Sequence, residues 1–92
     1  MTRVVHCKKE PYDVYIGRPS LLGNPFALQH ESERVLVLTQ FRVYAEARMK
    51  SDPKFAAAIR ACKGKVLGCW CAPRPCHGDV IAELAEEKIE SY

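Results

Sequence analysis

The stretch that most constrains this chain runs Cys69-Trp70-Cys71-Ala72-Pro73-Arg74-Pro75-Cys76-His77-Gly78-Asp79. It lies between an apolar pair, Val66 and Leu67, and an amphipathic segment from Val80 to Ile89. An apolar run, a proline-broken stretch and a helical period in succession read as strand, tight loop and helix start. Strand alternation puts Cys69 and Cys71 on one face and turns Trp70 to the other, where it is expected in the core. Cys76 and His77 fall at or just before a helix N-terminus. Unpaired N–H groups and the helix dipole there favour a thiolate or a bound anion. Three of the five cysteines and one of the three histidines thus share one short segment.

Ninety-two residues suit a single α/β domain, 1–92, with one modest core. A core of that size gains from oligomerisation or a bound metal. No apolar run approaches the roughly 18 residues of a membrane span. The opening residues, Met1 to Cys7, hold too short an apolar run for a secretory signal. A cytoplasmic location is therefore expected, with reduced thiols. An odd number of cysteines argues the same way, against a complete disulfide framework. The net charge of +3 is too mild for a dedicated nucleic-acid binder.

Along the chain, Thr2 to Cys7 reads as a first strand and Asp13 to Gly17, rich in β-formers, as a second. The connection between them is short for a parallel crossover, so this pair, if adjacent, should be antiparallel. Gly17 to Phe26 holds two glycines, two prolines and an asparagine and reads as an irregular loop. Glu31 to Lys50 is helical, with Ser32 as a possible N-cap. It carries two apolar stripes: Val37, Leu38, Phe41, Tyr44 and Ala45 form one, and Leu36, Val43 and Ala47 the other. A helix apolar on two sides is buried on two sides, which predicts a homodimer on the second stripe. Ser51-Asp52-Pro53 ends this helix and starts another, Pro53 suiting a first helical position, and Phe55 to Cys62 is a short second helix closed by Lys63-Gly64. Lys65 to Cys71 is the third strand and Gly78 to Glu90 the last helix. The order β-β-α-α-β-α, with the second and third strands joined through helices, predicts a parallel core pair in a small Rossmann-like α/β sandwich. Ligands of such folds sit beyond the carboxyl ends of the strands, so the loops 17–26 and 71–78 should converge.

The motifs Tyr15-Ile16-Gly17-Arg18-Pro19-Ser20, Gly23-Asn24-Pro25-Phe26, Cys69-Trp70-Cys71-Ala72-Pro73 and Cys76-His77-Gly78-Asp79-Val80 together resemble an uncharacterised domain family of bacteriophages, bacteria and archaea. The resemblance covers nearly the whole chain and implies a phage or prokaryotic source and one compact domain. The last strand–loop–helix unit also looks like a second uncharacterised α/β family that ends in Cys-His-Arg, with Gly78 in place of the arginine.

The residues support three kinds of site. In the first, a small anionic ligand, nucleotide-like or phosphorylated, is clamped by Arg18, which can bind it bidentately. Ser20, Gly23 and Asn24 orient it, Gly78 opens the helix start to it, and Asp79, Cys71, Cys76 and His77 complete the cradle. The bland alternative ties Arg18 to Asp79 or Glu83. In the second, Cys69, Cys71, Cys76 and His77 make a Cys₃His zinc set, with Cys7 or His6 as substitutes, in a module that engages a host protein. In the third, Cys76 is a nucleophile, although a neighbouring His77 seldom faces it and His6 or His30 would have to serve as base.

Overall fold

A computed structural model describes residues 2–26, 29–72 and 74–87. In chain order it contains β1 (Arg3–His6), β2 (Val14–Tyr15), one 3₁₀ turn (Glu31–Glu33), α1 (Arg34–Ser51), α2 (Pro53–Ala61), β3 (Val66–Cys69) and α3 (His77–Glu86). This is a small mixed α/β domain with a three-stranded parallel sheet. The end of the expected last helix, with Ile89 and Glu90, lies outside the described residues.

The strand order is β1-β3-β2, with β3 parallel to both neighbours. β1 and β2 are therefore not a hairpin, and the antiparallel pairing expected for adjacent strands does not arise. Residues 7–13 carry the chain from the end of β1 across β3 to the start of β2. So short a crossover works because the strands are short. Val4 and Val14 both register with Leu67, so the chain retraces little more than its last two β1 residues, about 7 Å at 3.3 Å per residue. It also steps sideways over one strand, about 10 Å. No helix is needed to bridge that. The crossover leaves its mark on Gly68, where a Cβ would lie 2.6 Å from the Tyr12 ring.

The other face of β3 presents Leu67 and Cys69, which join one core with Ile16, Phe41, Phe55, Ile59, Ile81 and Leu84. The stripe Val37, Phe41 and Ala45 of α1 is buried there. The second stripe is not covered within the chain: Leu36 is 59 % and Val43 65 % exposed. Local signals set the helix ends. Asp52 caps α2 by accepting the Lys54 and Phe55 N–H groups, with Pro53 at the first position. Gly64 takes the left-handed conformation (φ 77°) just after α2. Ser32 is not the cap of α1; it lies inside the 3₁₀ turn, and Glu33 holds the cap position. No helix among the described residues is long and apolar enough to cross a membrane.

Candidate functional site

Two loops leave the carboxyl ends of β2 and β3, and a cavity of about 390 Å³ opens between them. The β2 side supplies Tyr15, Gly17, Arg18, Asn24 and Phe26. The β3 side supplies Cys69, Trp70 and Cys71, the start of α3 supplies Cys76 and His77, and α1 closes the remaining wall with Arg34, Val37 and Leu38.

The floor is built by the cap of α3. Cys76 is the N-cap; its Sγ accepts the Gly78 N–H at 3.3 Å and its own N–H donates to the Asp79 carboxylate at 3.0 Å. That places the Cys76 Sγ 3.0 Å from the Cys69 Sγ at the end of β3. The Cys71 N–H also donates to the Cys69 sulfur, at 3.3 Å. The bond from Cys76, followed by the Cys71 and Ala72 N–H groups, outweighs burial and lowers the Cys69 thiol to about 6. The Cys76 thiol, which holds the shared proton and is itself buried, is pushed up. Beside them, the His77 Nε2–H donates to the Ile16 carbonyl at 2.7 Å, and its ring packs edge-on to Phe41. A carbonyl only accepts, so Nε2 carries the hydrogen. Burial pushes His77 down and keeps it neutral.

The mouth is aromatic and cationic. The Tyr15 hydroxyl accepts the Trp70 Nε1–H at 2.8 Å and donates to the Arg18 carbonyl at 3.1 Å. Gly17 makes room for this, since a Cβ there would lie 2.6 Å from the Tyr15 Cζ. Trp70, expected in the core, is 55 % exposed. β3 ends at Cys69, so strand alternation no longer governs Trp70. His6 packs edge-on to its ring and the Lys8 ammonium lies 5.5 Å from the ring centre.

Two guanidiniums face the space, and they differ. Arg34 chelates Glu31 through Nε and Nη2 and donates from Nη1 to the Pro75 carbonyl at 2.6 Å. The Glu31 bond comes first among the causes that raise Arg34, and the same bond lowers Glu31. Arg18 donates from Nε to the Asn24 carbonyl at 2.7 Å and from Nη2 to the Phe26 carbonyl at 3.3 Å. Among the described residues it has no carboxylate partner, so its charge is uncompensated. It is not tied to Asp79 or Glu83: the first caps α3 and the second pairs with Arg42.

Residues 2–87 match the family model described as Domain of unknown function (DUF4326). The chain belongs to this family. It is 34% identical over 84 residues to a protein of Enterobacteria phage T4 described as "Uncharacterized 12.4 kDa protein in nrdA-td intergenic region". That alignment covers 91% of this chain and 77% of the phage protein. No solved structure matches.

Of the ligand residues expected from the sequence of this DUF4326 chain, Arg18, Asn24, Cys71, Cys76 and His77 line the cavity. Ser20, Gly23, Gly78 and Asp79 are not among its described lining residues. Among the described residues the Ser20 hydroxyl is buried with no hydrogen-bond partner, beside a separate depression that includes Leu22 and Ala58. Gly23 makes a tight turn, its N–H on the Ser20 carbonyl. Gly78 lets α3 approach the sheet rather than a ligand: a Cβ there would meet Ile16 Cδ1 at 2.7 Å and Val4 at 3.0 Å. The zinc set does not assemble, although Cys69 and Cys76 meet. Among the described residues no three His, Cys, Asp or Glu side chains gather to hold a metal. The His77 Nε2 is spent on Ile16, and the backbone turns His77 away from Cys76. Arg34 was missed because its charge reads as the solvated face of a helix, and only the packing of α1 across the loop turns it inward.

Proposed function

We propose that this domain binds a small anionic ligand, nucleotide-like or phosphorylated, in the cavity beyond β2 and β3. The observation that carries this reading is Arg18: a guanidinium without a carboxylate, held in place by two backbone carbonyls at the mouth of a cavity whose described lining holds no acidic side chain. Its Nη1 has no bond within the described residues and is available to phosphate or carboxylate oxygens. Asn24, whose Oδ1 accepts the Phe26 N–H, keeps its amide hydrogens for the ligand. Trp70, Tyr15 and Phe26 offer aromatic surfaces for a base or similar ring. The position of the cavity agrees with the Rossmann-like rule that ligands lie outside the carboxyl ends of parallel strands. A prokaryotic or phage-infected cytoplasm supplies such ligands. The exposed stripe Leu36, Val43 and Ala47 supports a second copy of the chain as its cover.

The test is a thermal-shift screen with inorganic phosphate, nucleotides, cyclic nucleotides, ADP-ribose and sugar phosphates, repeated on Arg18→Ala. A charge-assisted hydrogen bond contributes about 1.5–3 kcal/mol, so a ligand that raises the melting point should bind about tenfold to a hundredfold more weakly to the variant. A screen without any anionic hit, or a hit indifferent to Arg18, refutes the reading.

A further inference from the structure

We propose that Cys69 and Cys76 are a redox-active dithiol that closes to a disulfide on the cavity floor, with a hydroperoxide as oxidant and a low-molecular-weight thiol as reductant. The inference goes beyond ligand binding and does not rest on it. Five cysteines are free in the structure, but these two alone among them meet sulfur to sulfur. They come from different elements, the end of β3 and the cap of α3, and their sulfurs stand 3.0 Å apart. A disulfide needs about 2.05 Å, so closure takes a movement of about 1 Å. Both residues are nearly inaccessible from outside, at 1 % and 2 % exposure, yet both line the cavity. A reagent that reaches them must therefore be small enough to enter the cavity, as a hydroperoxide is and a folded protein is not.

The surroundings favour the chemistry. Backbone N–H groups of Cys71 and Gly78 point at the two sulfurs, as a developing thiolate requires. The Cys69 sulfur, lowered to about 6, is the more ionised member and the attacking one. Cys71 also lines the cavity but meets no other sulfur, and the two remaining cysteines lack these features. Cys62 is buried, bonded to the Ala58 carbonyl, and raised by burial. Cys7 is half-buried and is not part of the cavity lining.

The steps balance. The Cys69 thiolate attacks a peroxide oxygen, the O–O bond breaks, and Cys69 becomes a sulfenic acid while the peroxide leaves as hydroxide or alkoxide. The Cys76 sulfur, giving up its proton, attacks the Cys69 sulfur; the S–S bond forms, the S–O bond breaks, and the sulfenic oxygen leaves as water. Two thiols and one hydrogen peroxide thus give one disulfide and two waters. Two molecules of a small thiol reverse it, leaving as their own disulfide.

The experiment treats the folded, ligand-free chain with substoichiometric hydrogen peroxide at neutral pH, blocks remaining thiols with an alkylating agent, and measures intact mass. The expected product is lighter by about 2 Da before blocking, the two hydrogens of the reaction. Chymotryptic cleavage after Trp70 then leaves the Cys69 fragment linked to the fragment that begins at Cys71, and tandem mass spectrometry of that pair should find the alkyl group on Cys71 and the link on Cys76. Cys71→Ser should keep the link and Cys76→Ser should lose it. Cys69 should be the first thiol consumed, since its sulfur receives both the Cys76 proton and the Cys71 N–H. A link through Cys71, oxidation to sulfinic acid without a link, or thiols that all stay alkylatable overturns the proposal. The mapping on unsubstituted protein decides even where a serine variant fails to fold. Because no ligand is present, a failed ligand screen leaves this result standing.

Discussion

The loop after β2 and the loop after β3 occupy equivalent places. Each leaves the carboxyl end of a parallel strand, each carries two prolines, and both reach the same cavity. They are held in opposite ways. The loop 17–26 holds itself: Arg18 reaches forward to the Asn24 and Phe26 carbonyls, the Asn24 side chain accepts the Phe26 N–H, and Ser20 and Gly23 close successive turns. The loop 70–76 is held by its neighbours. Arg34 of α1 grips the Pro75 carbonyl, and Cys76 is already the cap of α3. A self-held loop can carry an uncompensated charge at its surface, because nothing else depends on that charge for packing. A loop built into a helix cap places buried sulfurs reproducibly, and its residues are fixed by the core.

The contrast is broken most directly at Gly78, where the second loop joins the sheet. Gly78→Val overfills the contact with Ile16 and Val4 and should cost about 1–3 kcal/mol. Urea unfolding checks it, and an unchanged midpoint would mean that α3 can shift away from the strands.

Next comes His77, which ties the start of α3 to Ile16 at the end of β2. Its folded value is depressed by burial below the ordinary 6.5. Between those two values the unfolded chain holds a proton that the folded chain does not, so stability rises with pH there. The stability is complete above pH 6.5 and is lost as pH falls toward the folded value, with a slope of at most about 1.4 kcal/mol per pH unit. His77→Gln, which keeps a donor for the carbonyl, should flatten that slope in denaturation curves taken from pH 7 downward.

The two arginines sharpen the comparison. Arg34→Ala removes the charged hydrogen bond to Pro75 and should cost about 1 kcal/mol, with the exposed Glu31 pair adding little. Arg18→Ala should cost less in stability and more in ligand affinity. Paired thermal melts, with and without a ligand found in the screen, separate the two, and equal behaviour would erase the distinction between the loops.

The smallest effect on the fold is expected far from both loops. Leu36→Ser with Val43→Ser should change monomer stability by under about 0.5 kcal/mol, as substitutions at exposed sites do. The same pair should weaken self-association in sedimentation at micromolar concentration. A chain already monomeric there removes the reason to expect a dimer.

What the sequence determined by itself was local. Alternation and helical period located the three strands and three helices to within a few residues, Pro53 and Gly64 marked the ends of α2, and Cys76-His77-Gly78-Asp79 marked the start of α3. Those signals act within one or two turns of chain, so no partner is needed to read them. The expected convergence of the two loops came from the parallel pairing of β2 and β3, and the sheet has that pair. Tertiary structure decided the rest. It put β3 in the centre, since the short strands allow a seven-residue crossover over Gly68. It exposed Trp70 once the strand had ended, turned Arg34 into the cavity, and spent Gly78 and Asp79 on packing and capping. It also brought Cys69 to Cys76 and not to Cys71, although Cys71 is nearer in sequence. The chain bends at Trp70 once β3 has ended, so Cys71 meets the Cys69 sulfur with its backbone N–H, whereas a helix cap packed against the strand end brings two sulfurs into contact.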